Sequence, residues 1–169
     1  MRNVRRFFCT VVTVAVMLIS VMGATEASNK IPNYINPAEA AIGGVQIGAT
    51  QDYVRRIYGE PTKVRDLSTK GPFGHSVEWT YGDSFRITFG DGHAYNIETY
   101  GNNGIKTPAG FAFGQNISRV IAYFGEDKVQ RVENGGKITY RFSCAFWYGI
   151  SFETDRRGDI ARIYCWEAP

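Results

Sequence analysis

Residues 45–60 read VQIGATQDYVRRIYGE, and residues 111–126 read FAFGQNISRVIAYFGE. Each stretch has a short apolar run that ends in glycine, then a polar residue, a helix-like apolar pattern and a final Gly-Glu. The offset between them is 66 positions, and Gly92 returns at the same offset as Gly158. Self-similarity at a constant spacing is the sequence signature of a repeated structural unit. We therefore predict that the chain contains two copies of one unit.

Each copy begins with a short predicted helix. Thr50 and Asn116 stand where a side-chain oxygen can accept an unpaired backbone N–H at the start of a helix. Over residues 51–58 and 117–124 the apolar residues recur at i, i+3 and i+4, which gives each helix one apolar face. A glycine follows each pattern and suits the left-handed conformation that often ends helices.

The rest of each copy alternates apolar and polar residues, as strands with one buried face do. The predicted strands are 77–81, 85–89 and 94–100 in the first copy and 138–142, 146–153 and 160–166 in the second. The predicted fold class is α+β, in which two tandem α-plus-three-strand repeats form one curved antiparallel sheet with the short helices on one face. Repeat 1 spans residues 42–101 and repeat 2 spans residues 102–169, within one composite domain.

The N-terminal residues 1–27 have the pattern of a signal peptide. Three arginines precede an almost wholly apolar run over residues 7–24, and small residues follow it. This order is typical of a signal that is cleaved on export. The alternative is an uncleaved anchor, since the run approaches the roughly 20 residues that span a bilayer. Residues 28–41 contain two prolines and no clean period, so we expect an extended lead-in.

The charges of the chain nearly cancel once the signal is removed. Subtracting its three arginines and one glutamate from the totals of 19 and 16 leaves 16 basic and 15 acidic residues. Nucleic-acid binding depends on concentrated positive charge. We therefore expect no nucleic-acid partner.

Two cysteines, Cys144 and Cys165, remain outside the predicted signal. In an oxidising compartment an even pair is more often bridged than free. A bridge between them would stabilise the fold by about 3 kcal/mol. We predict a disulfide, with metal binding by the two thiols as the less favoured alternative.

Residues suited to catalysis are sparse. A nucleophilic site needs Ser or Cys together with His and a carboxylate, but the only histidines are His75 and His93, in a predicted loop and a predicted turn. The Asp91-Gly92 pair before His93 is typical of a hairpin turn. We predict no catalytic residues, no metal site and no cofactor, and hence a protein that is not an enzyme.

Alternation places one set of large side chains on the sheet face away from the helices. The candidate binding residues are Tyr100, Arg141, Trp147, Arg162, Tyr164 and Trp166. Arg, Tyr and Trp dominate binding hot spots, and the two aromatic types bury much area with few rotamers to restrict. The alternative is that the lead-in, or a helix longer than predicted, packs on these residues. The loop over residues 67–75, which is longer than its counterpart in the second copy, is a further candidate contact.

Four short motifs of the first copy match a known family pattern. They are Ile47-Gly48, Tyr58-Gly59-Glu60-Pro61, Trp79-x-Tyr81 and Phe85-x-Ile87-x-Phe89. Together they resemble the SmpA/OmlA-type outer-membrane assembly proteins. The doubled arrangement, over most of residues 42–166, is similar to the β-lactamase inhibitory protein fold, which pairs two such units into a curved sheet. This resemblance implies protein binding through the sheet and its loops.

The sequence thus predicts an exported, non-enzymatic binding module that holds another protein outside the cytoplasm through the open sheet face. The alternatives are a cell-envelope assembly or maintenance factor and, less favoured, a small-molecule-binding protein or a hydrolase. The expected location is the periplasm, the cell envelope or the external medium. Membrane contact is expected only if the signal stays uncleaved.

Overall fold

The structure, a computed structural model, describes residues 33–67 and 74–168. The predicted export signal and the start of the predicted lead-in lie outside the described residues, as does most of the candidate loop over residues 67–75. Among the helices of the described ranges, none combines the length and the apolar character needed to cross a membrane.

Two α-helices and ten β-strands make up the regular structure of these ranges. The helices are α1 (Gln51–Tyr58) and α2 (Ile117–Phe124). The strands are β1 (Ala41–Ile42), β2 (Val45–Gln46), β3 (Lys63–Asp66), β4 (Ser76–Tyr81), β5 (Phe85–Gly90), β6 (His93–Tyr100), β7 (Val129–Asn134), β8 (Lys137–Ser143), β9 (Tyr148–Thr154) and β10 (Ile160–Glu167). Short 3-10 turns occur at Pro37–Glu39 and Glu126–Lys128.

Eight of these strands form a single antiparallel sheet in the spatial order β3-β4-β5-β6-β10-β9-β8-β7. The first half of the chain supplies β3 to β6 and the second half supplies β7 to β10. The two groups join where β6 pairs with β10. The strands β1 and β2 pair with each other as a separate two-stranded ribbon.

The predicted fold class is wrong. The fold is predominantly β, with one eight-stranded sheet instead of two tandem α-plus-three-strand repeats, and its two helices have eight residues each. The sequence prediction missed β3 and β7, the two edge strands. Every residue of β3 is exposed, and β7 has only half-buried and exposed positions. A strand without a buried face has no apolar alternation by which to recognise it.

Both predicted helices are confirmed at their expected bounds. The Thr50 hydroxyl accepts the Tyr53 N–H at 3.2 Å, and the Asn116 side chain accepts the Ser118 N–H at 3.1 Å. These bonds satisfy backbone donors that have no partner within the first turn of a helix. The helical side chains buried in the core are Val54, Ile117, Val120 and Phe124.

The hydrophobic core lies between these helices and one face of the large sheet. Its largest side chains with under 2% exposure are Phe89, Phe142 and Phe152. The described part of the lead-in joins this core, because Ile35 and Ala40 are buried within it. The Ile35 N–H also donates to the Ser143 carbonyl oxygen at 2.9 Å. The described lead-in residues therefore pack on the core side and leave the opposite face uncovered.

Gly149 in β9 lies against the backbone of β8. A Cβ atom at this position would be 2.3 Å from the Phe142 carbonyl oxygen and 3.0 Å from the Ser143 Cα. Both are backbone atoms of a strand that pairs with β9, and Ser143 is the register partner of Gly149. Neither atom can move away without distorting this pairing.

Replacing this glycine, Gly149→Ala, should lower the free energy of unfolding by about 3 kcal/mol, because overpacking against fixed atoms forces backbone shifts. Denaturant titration followed by circular dichroism measures the loss. Gly44→Ala is the control, since no atom lies within 4 Å of a Cβ there and only its positive φ of 78° opposes the change. That control should lose about 1 kcal/mol. Equal losses for the two variants would show that space at Gly149 is not the constraint.

The predicted disulfide is not present, since Cys144 and Cys165 are both buried free thiols. Cys144 follows β8 and Cys165 lies in β10, with β9 between them in the sheet. Burial raises the pKa of Cys144 to about 11 and the pKa of Cys165 well above its usual value. The prediction rested on cysteine count and compartment. Neither of these specifies the short Cβ–Cβ distance that a bridge requires.

The thiolate is the reactive form of cysteine, so both thiols should react slowly with iodoacetamide at pH 8 in the folded protein. Unfolding in guanidinium chloride should raise the labelling rate by more than about tenfold as burial is removed. Mass spectrometry of the unreduced protein gives the rate and the number of labels. A mass showing an intact bridge would contradict the free-thiol state.

The raised pKa of Cys144 also predicts a pH dependence of stability. A thiol with a folded-state pKa of about 11 and an ordinary value of 9.0 contributes stability below pH 9 that is lost as the pH rises toward 11. The free energy of unfolding should therefore fall over this window. Cys144→Ala should show a smaller fall, and an unchanged slope in that variant would assign the effect to other groups.

Candidate interaction surface

The large sheet has one face that does not contribute to the core, and we call it the open face. Neighbouring residues of a strand point to opposite faces, so the strand registers assign its members. They include Lys63, Arg65, Glu78, Thr80, Arg86, Thr88, Asn96, Glu98, Tyr100, Gln130, Val132, Asn134, Lys137, Thr139, Arg141, Ser151, Glu153, Arg162, Tyr164 and Trp166. The apolar side chains that α1, α2 and the described lead-in bury belong to the core on the other face.

The centre of the open face is an ion-pair network around Glu98. This carboxylate, with a side chain 7% exposed, contacts the Arg86 guanidinium at 3.2 Å on one side and the Arg162 guanidinium on the other. The register makes this possible because Arg86 lies directly opposite Glu98, and Arg162 lies diagonally across the β6–β10 pair. A buried carboxylate needs such partners to offset the loss of its hydration.

Two tyrosine rings hold these arginines in place. The Arg86 guanidinium lies 4.9 Å from the Tyr100 ring centroid, and the Arg162 guanidinium lies 4.9 Å from the Tyr164 ring centroid. Arg86 also donates a hydrogen bond to the Tyr100 hydroxyl, which donates in turn to the Asp83 carbonyl oxygen at 2.9 Å. Cation–π and hydrogen-bond contacts of this kind restrict side-chain rotamers. The centre of the open face is therefore ordered.

Two clefts flank this centre. The polar cleft, of about 470 Å³, is lined by Thr62, Lys63, Arg65, Glu78, Thr80, Gly82, Asp83 and Arg86. The aromatic cleft, of about 360 Å³, is lined by Arg141, Tyr164, Trp166 and Ala168. The indole N–H of Trp166 donates to the Ser151 hydroxyl at 2.8 Å, which fixes the ring at the edge of the aromatic cleft.

The structure brings five of the six predicted binding residues together on the open face. Arg141, Tyr164 and Trp166 line the aromatic cleft, and Arg162 and Tyr100 lie opposite each other beside it. Arg141 comes from β8 and reaches the same cleft because Ser151 is its register partner in β9 and also the partner of Tyr164 in β10.

Trp147 is not part of the open face. It lies in the connection between β8 and β9, 53% exposed, and lines a groove with Pro37, Ala38 and Ile47 on the lead-in side. The alternation used to place it does not extend past Ser143, where β8 ends and residues 144–147 form the bend before β9. Of the residues assigned to the open face from sequence, Trp147 is the one that lies elsewhere.

Sequence reasoning also missed residues that shape the open face. Lys63 and Arg65 were missed with strand β3. The buried position of Glu98 beneath Arg86 and Arg162 was missed as well. The sequence did contain a signal for this contact. Arg86 and Glu98 lie on the same face of two strands of one predicted hairpin, where opposite charges can lie across from each other.

The two histidines, the residues that a nucleophilic site would need, are not among the open-face residues. The His75 imidazole is 3.5 Å from Asp66, and the His93 ring contacts the Asp91 carbonyl oxygen at 3.1 Å. Within the described ranges there is no group of three or more His, Cys, Asp or Glu side chains that could hold a metal ion.

Comparison with known proteins finds similarity in structure and not in sequence. No family model matches the chain, and no curated protein matches it. One similar structure is an extracellular protein containing an SCP domain from Bacillus anthracis strain Ames, with a TM-score of 0.51, 11% identity, and coverage of 72% of this chain and 44% of that one. Another is a cysteine-rich secretory protein from Staphylococcus aureus Mu50, with a TM-score of 0.54, 9% identity, and coverage of 78% and 48%. The chain thus spans less than half the length of either.

These neighbours correct the resemblance drawn from sequence. The fold is similar to parts of an SCP-domain protein and a cysteine-rich secretory protein, and the assignment to SmpA/OmlA-type repeats in a β-lactamase inhibitory protein arrangement is wrong. The motifs behind that assignment are buried aromatics such as Trp79 and Phe85 and glycines at turns. Residues of this kind are selected by the packing of a helix on a sheet. This packing occurs in unrelated families, so the residues do not identify one of them.

The substitution Glu98→Gln should lower the free energy of unfolding by about 2 kcal/mol, because Arg86 and Arg162 lose a shared charged acceptor. Thermal and denaturant unfolding measure the change. Glu133→Gln is the matched control, since its ion pair with Arg131 is exposed and should contribute less than about 1 kcal/mol. Equal effects would show that the centre of the open face adds no special stability.

Proposed function

We propose that the protein is an exported, non-enzymatic module that binds another protein through the open face. The observation that carries this proposal is the aromatic cleft, where Arg141, Tyr164 and Trp166 from two strands meet at the surface. These residue types dominate binding hot spots, and hot spots cluster in this way.

The fixed side-chain conformations on the open face support the same proposal. Binding costs less when the interacting side chains are already fixed before the partner arrives. Arg162 is held by Glu98 and by the Tyr164 ring, and Trp166 is held by Ser151. A partner therefore meets residues whose rotamers are largely set.

Export is supported by the predicted signal over residues 1–27 together with the nature of the structural neighbours, one an extracellular protein and the other a secretory protein. We propose that the module acts outside the cytoplasm, in the periplasm, the cell envelope or the external medium.

Affinity purification with protein produced from the full-length chain tests the proposal. One partner protein should co-purify from envelope extract or culture medium, and Arg162→Ala/Trp166→Ala should reduce its recovery by at least about tenfold through the loss of two hot-spot side chains. The matched control is Arg119→Ala/Tyr123→Ala, which removes an exposed arginine and an exposed aromatic from α2.

Circular dichroism and thermal unfolding should first show that both double variants are folded. Equal recovery of the partner by the two double variants would reject the open face as the binding surface. Recovery of no protein in any arm would reject protein binding itself.

A further inference from the structure

We propose that the protein held by the open face is acidic, with carboxylates that reach both clefts. This inference rests on the proposed function and adds the chemistry of the partner. It is carried by the charges of the open face and by which of them are already paired.

The open face has an excess of positive charge. Its basic residues are Lys63, Arg65, Arg86, Lys137, Arg141 and Arg162, and its acidic strand residues are Glu78, Glu98 and Glu153. With Asp83, which lines the polar cleft from the turn between β4 and β5, the face has six basic and four acidic residues. The mature chain as a whole is almost neutral. The excess on this face is therefore a local feature and not a reflection of overall composition.

Each of the three glutamates of the open face is already in an ion pair. Glu78 contacts Arg65 at 3.0 Å, and Glu153 contacts Lys137 at 2.9 Å. Glu98 is shared between the two central arginines. These three glutamates are therefore satisfied within the face and do not offer sites for a basic partner.

Two cations of the open face are left over. Among the described residues, Lys63 and Arg141 have no acidic partner, and both are exposed. Lys63 lines the polar cleft and Arg141 lines the aromatic cleft. An arginine beside aromatic rings suits a carboxylate that it can bind through two hydrogen bonds.

These two cations lie on one line across the sheet. The register runs from Lys63 through Thr80, Arg86, Glu98, Tyr164 and Ser151 to Arg141. Six strand-to-strand steps separate its ends, or about 29 Å. A protein with a standard interface of roughly 800 Å² per side is wide enough to reach both.

The aromatic cleft favours a polypeptide over a purely charged polymer. Tyr164 and Trp166 present ring surface beside the Arg141 guanidinium. A protein can offer a carboxylate and a neighbouring apolar side chain to this pair, whereas a sulfated glycan offers mainly charge. Complementary charge then steers the encounter and discriminates against basic proteins.

The test uses protein from the full-length chain and a fluorescein-labelled poly-L-glutamate peptide of about 20 residues, longer than the roughly nine extended residues that span the two cations. Fluorescence anisotropy should show binding that weakens with added salt. The variant Lys63→Glu/Arg141→Glu should weaken it by at least about tenfold. The control Arg56→Glu/Arg119→Glu makes the same change in net charge on α1 and α2 and should leave the affinity within about twofold of the unmodified protein.

Absence of peptide binding, or equal weakening by both double variants, would overturn the inference. A heparin-derived oligosaccharide is the second probe. If the oligosaccharide binds and Lys63→Glu/Arg141→Glu weakens that binding, while the peptide does not bind, the face recognises a polyanion other than protein. The inference then also fails.

The purification of the proposed function distinguishes the two failures. If a partner is lost with Arg162→Ala/Trp166→Ala but retained with Lys63→Glu/Arg141→Glu, the open face binds a protein that is not recognised by its acidity. If the partner is retained with Arg162→Ala/Trp166→Ala, the proposed function itself fails.

Discussion

The open face depends on the pairing of β6 with β10. Five register pairs join these strands, and they connect the four strands of the first half of the chain to the four of the second. The pairing sets Tyr164 opposite Glu98 and Arg162 opposite Tyr100. A slip of one residue would turn Arg162 and Tyr164 toward the core, so the apolar residues that alternate with them, such as Ile163, hold the register.

A consequence of this pairing is a carboxylate in the middle of the sheet. Removing Glu98 from water is unfavourable, and the two arginines on either side offset that cost. Because the guanidinium groups are only partly covered, they remain available at the surface while their orientation is set from below. The same contacts that make Glu98 tolerable therefore arrange the charged centre of the face, and the two clefts with their unpaired cations lie on either side of it.

Local sequence patterns predicted the helices correctly but failed for the edge strands and for the family assignment. The helix at residues 51–58 followed from Thr50, the i, i+3, i+4 pattern and the glycine after it, all within ten positions. The strand β3 could not be found in this way, because all four of its residues are exposed and its position depends on pairing with β4. Family assignment from buried aromatics such as Trp79 was wrong for a related reason, since packing against a helix selects these residues in many folds.

The sequence by itself determined the helices, six of the sheet strands and the alternation that sorts their side chains, because each depends on contacts between residues close along the chain. It also placed Tyr100, Arg141, Arg162, Tyr164 and Trp166 on one face. Only the tertiary structure decided the edge strands, the free state of Cys144 and Cys165, and the position of Trp147 outside the open face. It alone decided that Glu98 is covered while Lys63 and Arg141 are left unpaired. These outcomes depend on which strands become neighbours, and strand order is a property of long-range packing that no short stretch of sequence contains.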